Sequence, residues 1–209
     1  MTENELRDKV AGLAEYYAKK GDVYEWSPEL ERLIEVYNNH KPLTRGIAYK
    51  PELGGWCALF VSDLFIETDL SDLIVTEIGA YEMMANAKAC GQWKARGTYI
   101  PKRGDIIVYA YQTTKDGNPY TQYHTALVTN SSESVVYTTE GNVQDRVLML
   151  AHVPSDKTIL GYWAVDYASK ATKEIPVKEL PCPPSKTGTY TLKAVVSNNA
   201  TTYKWVISG

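Results

Sequence analysis

An α+β fold, with helices first and an antiparallel sheet after, is what this sequence predicts. Three observations carry the prediction. Apolar residues recur at helical spacing in several stretches between residues 6 and 91. Beyond Pro101 the pattern changes to short β-branched runs, each bounded by Asn, Ser, Gly or Asp. Helical segments followed by a meander of strands, without regular βαβ alternation, make an antiparallel rather than a parallel sheet.

The elements follow in order. Residues 6–20 place Leu6, Val10, Leu13, Ala14 and Tyr17 on one face of a helix, and Gly21 ends it. Ser27-Pro28 starts a second helix, with the serine as cap and the proline in the first turn. Its apolar face is Leu30, Leu33, Ile34 and Tyr37, and the run Asn38 to Pro42 stops it. Gly54-Gly55 allows a sharp turn before Trp56-Cys57-Ala58, which opens a largely apolar helix through Phe65. Asp69 and Asp72 read as the loop that ends it, and residues 81–91 as a further helix. Strands are expected at 104–110, 124–129, 135–139, 147–150 and 160–165, with a turn connector at 115–119. From about Lys170 the composition shifts. The expected organisation is a main α+β domain over 1–169, a Pro-rich linker over 170–187, and a β-hairpin tail or fragment of a small β module over 188–209.

Composition narrows the function classes. The chain has 209 residues, 44% hydrophobic and 22% charged, with net charge −3. Neither the net charge nor any Lys/Arg cluster suggests a nucleic-acid partner. The charged N-terminus is no secretory signal, and no apolar run approaches the roughly 20 residues that span a bilayer. The expectation is a monomeric chain made in the cytoplasm; if it acts outside, something else must release it. Three cysteines, Cys57, Cys90 and Cys182, make neither a disulfide framework nor a zinc pattern and fit reduced thiols; neither a metal nor a cofactor is expected. Sixteen tyrosines and five tryptophans against two phenylalanines suit half-buried sheet faces and wet grooves.

A cysteine on an apolar helix is by default a packing residue. Cys57 differs in its position, because a first helical turn offers free N–H groups and a positive dipole end to a thiolate. A thiol nucleophile also needs a base, and the base needs a third group to orient it. Of the three histidines, His40 reads as a solvated cap and His152, before Val153-Pro154, as surface or structural. His124 opens an apolar strand after a polar loop, where a scaffold displays catalytic groups. Glu140 and Asn142 follow at the end of the next strand. Two apart on an extended chain, both would point the same way, with Glu140 favoured as the direct partner of the imidazole. Glu140-Gly141-Asn142 is also an ordinary strand-ending turn.

Four segments taken in order, Gly-Trp-Cys-Ala-x-Phe-Val-Ser, Pro-x-x-Gly-Asp-Ile-Ile, His-Thr-Ala-Leu-Val and Tyr-Thr-Thr-Glu-Gly-Asn, resemble the CHAP family of cysteine amidases and endopeptidases, close to the NlpC type. The resemblance covers about residues 27–165. It implies a papain-like cysteine hydrolase fold and cleavage of an amide bond in bacterial peptidoglycan. By matched motif Cys57 would be the nucleophile, His124 the base, Glu140 the orienting acid and Asn142 its polar companion, with Trp56 and Tyr123 binding substrate. Many members are phage or prophage lysins released through a holin, which agrees with this N-terminus. Where many relatives carry an acid just before the histidine, this chain has Tyr123, and it lacks the Asp-rich calcium loop of some phage lysins. An antibacterial effector or deamidase on the same fold, and a non-catalytic wall-binding module, are the alternative readings.

Overall fold

The computed structural model describes residues 1–172. Most of the expected linker and all of the expected hairpin tail lie outside the described residues.

The first helix, α1 (Glu3–Lys20), begins on a reciprocal cap. The Thr2 hydroxyl accepts from the Glu5 N–H, and the Glu5 carboxylate accepts from the Thr2 N–H at 2.8 Å. Gly21, at φ 70°, ends it in the left-handed conformation expected of a glycine there. In α2 (Pro28–Asn39) the Ser27 hydroxyl accepts from the Leu30 N–H at 3.1 Å, and Leu30, Leu33 and Tyr37 are buried. Helix α3 (Cys57–Glu67) is buried from Cys57 to Phe65, and α4 spans Ala80–Ala89.

Six strands form one antiparallel sheet: β1 (Trp93–Ala95), β2 (Ile106–Lys115), β3 (Asn118–Ser131), β4 (Val136–Val143), β5 (Arg146–His152) and β6 (Ile159–Trp163). Their spatial order is β1-β6-β2-β3-β4-β5. The α+β class and the antiparallel meander are as the sequence predicts. The sheet centre is buried on both faces, so β2 runs Ile106-Ile107-Val108-Tyr109 without polar alternation. Ile106 and Leu127 pack with the helices, while Ile107, Tyr109, Ala126 and Val128 form a second cluster on the opposite face.

Three expectations need correction. The strand β1, paired with β6, goes unread in the sequence because three residues are too few to show an alternation. His124 does not open its strand. It lies within β3, opposite Tyr109, because β2 and β3 extend into a long hairpin ending at the Lys115–Asn118 pair. Asp116 (φ 52°) and Gly117 (φ 78°) form its two-residue turn, with the paired positive φ values that such hairpins require. The arms are polar because they are exposed, and polarity without burial resembles a loop. Finally, Glu140, Gly141 and Asn142 belong to β4 and are not a turn beyond it.

A buried ion pair ties the two ends of the domain to the sheet. Arg7 of α1 donates to Asp105 Oδ1 at 2.9 Å and to the Arg103 and Val165 carbonyls at 2.9 and 3.3 Å. Its guanidinium lies 4.6 Å from the Tyr167 ring centroid. Asp105 Oδ2 accepts from the Tyr99 hydroxyl and the Lys102 N–H, both at 2.8 Å. Gly104, at φ 85°, lets the chain turn there, and the Tyr167 hydroxyl would lie 2.8 Å from a Cβ at that position. The Gly-Asp pair of the Pro-x-x-Gly-Asp motif thus has a structural explanation. Burial pushes the Asp105 carboxyl up even with Arg7 beside it. Arg7→Leu should therefore strand an uncompensated acid and cost about 3 kcal/mol or more, read as a lower urea midpoint with unchanged slope.

Candidate active site

Helix α3 starts without a side-chain cap. The residue before it is Trp56, which offers no oxygen to the first turn, in contrast to Thr2 and Ser27. The first α-helical bond of this turn runs from the Phe60 N–H to the Trp56 carbonyl at 3.0 Å. The N–H groups of Cys57, Ala58 and Leu59 precede it, so an electropositive end surrounds the Cys57 thiol. The turn leading in is held by Tyr49. Its hydroxyl donates to the Gly54 carbonyl at 2.6 Å, and Asn38 of α2 clamps its backbone at 2.8 and 3.0 Å.

His124 Nε2 lies 2.8 Å from Glu140 Oε2. This uses one ring nitrogen and leaves Nδ1 for the thiol. Burial by itself would lower the affinity of the ring for a proton. Hydrogen bonding to Cys57 and then to Glu140 outweighs burial and pushes His124 up to about 10. Glu140 shows the converse. Burial favours its neutral form, but the hydrogen bonds from His124 and His152 pull the carboxyl down to about 2. The charge-assisted hydrogen bond between His124 and Glu140 contributes to both shifts, alongside Cys57 for the ring and His152 for the carboxyl. Cys57, His124 and Glu140, which sequence reasoning selected, are thus brought together.

Asn142 is placed differently. A register break between Glu140 and Val143, with Asn142 at φ 62°, ends the alternation that would have aimed both side chains alike. The Asn142 amide packs instead on the approach to Cys57, where its Nδ2 would lie 2.8 Å from a Cβ at Gly55. Among the described residues it makes no hydrogen bond to His124. Gly141 has a packing role. A Cβ there would meet Phe60 at 2.7 Å and Trp56 at 2.9 Å, so the glycine lets β4 approach α3.

Trp56 is buried, edges onto Phe60, and shares with Glu25, Trp26, Glu31 and Tyr49 a cavity of about 90 Å³. Tyr123, one residue from His124 on an extended strand, points to the other side of β3, and its ring meets that of Tyr81 at 5.1 Å. The larger surface hollows, such as one of about 590 Å³ by Arg103 and Ser131, contain none of the three residues.

Sequence reasoning missed His152. Read as surface or structural, it lies 2.7 Å from Glu140 Oε1. The apolar run of β5 and the proline after it gave no sign of this contact. Among the described residues no cluster of His, Cys, Asp and Glu suits a metal ion.

Residues 48–142 match the model of the CHAP domain. Over this segment the chain is similar to CHAP domains. The matched segment holds Cys57, His124, Glu140 and Asn142 and stops short of His152. No curated protein matches the chain. CHAP domains are generally cysteine/histidine amidases or peptidases, and the domain indicates a peptidoglycan hydrolase or amidase.

The raised His124 value gives a signed expectation. A histidine whose folded value exceeds its ordinary 6.5 contributes stability that is complete below that pH and is lost as pH rises through about 10. Glu140→Gln removes the charge that holds the imidazolium. The His124 ring titration, followed by NMR, should then move down by at least about one pH unit. The alkaline loss of stability should move to lower pH with it.

Proposed function

We propose that this CHAP-like domain hydrolyses an amide bond in bacterial cell-wall peptide, in the manner of an endolysin, with Cys57 as nucleophile and His124 as acid and base. The observation that carries the reading is the line Cys57–His124–Glu140, in which an imidazole sits between a helix-start thiol and a buried carboxylate. The Cys57 thiolate attacks the carbonyl carbon. The negative charge that develops on oxygen is met by the Cys57 N–H, which no side chain caps. The His124 imidazolium gives its proton to the leaving amine, and the C–N bond breaks to leave a thioester on Cys57. Water then attacks the thioester. His124 takes its proton, the carboxylic acid product leaves, and the thiolate and imidazolium are restored. Glu140 keeps the ring oriented and the imidazolium stable throughout. Asn142, the polar companion in this assignment, holds the approach to the nucleophile by its contact at Gly55. The cavity walled by Trp56 is the substrate subsite next to the nucleophile, whereas Tyr123, turned to the other side of β3 and packed on Tyr81, is not part of it.

Cys57→Ala should abolish release of new termini from purified walls, identified by mass spectrometry, with the melting temperature nearly unchanged. His124→Ala should lower turnover by about two to four orders of magnitude, and His40→Ala should stay within a few-fold of the parent. Lysis by the Cys57→Ala protein at the parent's rate would remove the reading. The new termini also separate cleavage of the N-acetylmuramoyl–L-alanine bond from cleavage within the peptide.

A further inference from the structure

Glu140 is a charged group in a nearly closed site, with 2% of its side chain exposed. Such a group must have its lone pairs satisfied, and the way they are shared is asymmetric. Oε2 meets His124 Nε2 at 2.8 Å. Oε1 takes the other three contacts: the Thr138 hydroxyl at 2.6 Å, His152 Nε2 at 2.7 Å and the Tyr109 hydroxyl at 3.2 Å. Three donors on one oxygen fix the carboxylate's rotation about its terminal bond, and the remaining oxygen is presented to one ring. Of the three, only His152 comes from β5, the strand at the sheet edge. Thr138 shares β4 with Glu140, and Tyr109 lies on β2. The Tyr109 ring lies 5.8 Å from the His124 ring and 5.1 Å from that of His152, so the two imidazoles flank one aromatic plate.

We propose that His152 is a positioning residue of the catalytic site, anchoring Oε1 of Glu140 so that Oε2 stays on His124. The inference rests on the proposed reaction, in which Glu140 orients the base. His152 touches neither the thiol nor His124 among the described contacts, so its effect must pass through the carboxylate. With His152 absent, Oε1 loses one of its short bonds and the carboxylate gains freedom to turn. The imidazole of His124 then loses part of its alignment toward Cys57. A misaligned base slows the chemical step and leaves substrate binding unchanged. Glutamine at 152 can still donate one neutral hydrogen bond, whereas alanine cannot.

The test is a double-mutant cycle on the full chain, with turnover and KM measured on solubilised walls. His152→Ala should lower kcat about tenfold with KM unchanged, and His152→Gln should recover most of that loss. In a Glu140→Gln background, His152→Ala should cost no more than about twofold, because its route to His124 is already cut. The His124 ring proton on Nε2, seen by NMR, should move in His152→Ala and return in His152→Gln. Equal cost of His152→Ala in both backgrounds would overturn the proposal and make His152 a structural residue. So would an unmoved His124 signal. If His152→Ala does not fold, His152→Gln and His152→Asn in the same two backgrounds carry the comparison. Cys57→Ala measured alongside separates the two claims. Activity surviving in that variant removes the reaction itself, whereas its loss together with a parental His152→Ala removes only the positioning role.

Discussion

A carboxylate placed where water cannot reach it has to be compensated by its neighbours, and Glu140 organises the site by this need. Its charge is held by two imidazoles, a threonine hydroxyl and a tyrosine hydroxyl, drawn from four of the six strands. Tyr109, His124 and His152 reach the carboxylate from other strands and tie their register to that of β4, while Thr138 donates from within β4. The β2–β3 pairing sets Tyr109 opposite His124, and β4–β5 pairing carries His152 along the edge of the sheet. If the sheet slipped by a residue, these donors would turn to the other face and leave a buried charge unpaired. Fold and site are therefore specified by the same hydrogen bonds.

The helix that carries Cys57 completes the arrangement by what it lacks. Helices α1 and α2 spend a side-chain oxygen on their first turns, and α3 does not. Its free N–H groups are left for a developing oxyanion in the proposed reaction. The cost of an uncapped start is offset by burial, since α3 is packed from Cys57 to Phe65 against the other helices and the sheet. Gly141 permits this contact on the β4 side, and Ser62 secures the far side. The Ser62 hydroxyl donates to the Glu77 carbonyl and accepts from the Glu77 N–H, both at 2.8 Å. Farther off, the Arg7–Asp105 pair fastens α1 to the start of β2, giving the helical layer a fixed seat on the sheet.

Much of this was legible beforehand. Helical periodicity located α1, α2 and α3, because one-sided burial leaves a repeat in the sequence. The glycine at 21 and the serine at 27 marked boundaries for local reasons of φ and capping. In sequence a strand shows as an apolar β-branched run, so the polar, exposed arms of the β2–β3 hairpin resemble a loop and His124 resembles a strand start. Asn142 was expected to face the imidazole on the assumption of unbroken alternation. The Gly141-Asn142 pair, suited to a positive φ, is compatible with the register break after Glu140 but does not by itself require one.

By itself the sequence determined the α+β class, the cysteine at a helix start, and the histidine and acid on successive strands, because these follow from local periodicity and residue chemistry. Tertiary structure decided which groups share the acid. His152 stands twelve residues after Glu140, and fifteen residues before Glu140 stands Thr125, buried with its hydroxyl on the Ile107 carbonyl. Separation along the chain distinguishes neither from the other. Only strand order, register and the reach of a side chain across the sheet bring one to the carboxylate, and those are properties of the folded pairing of strands.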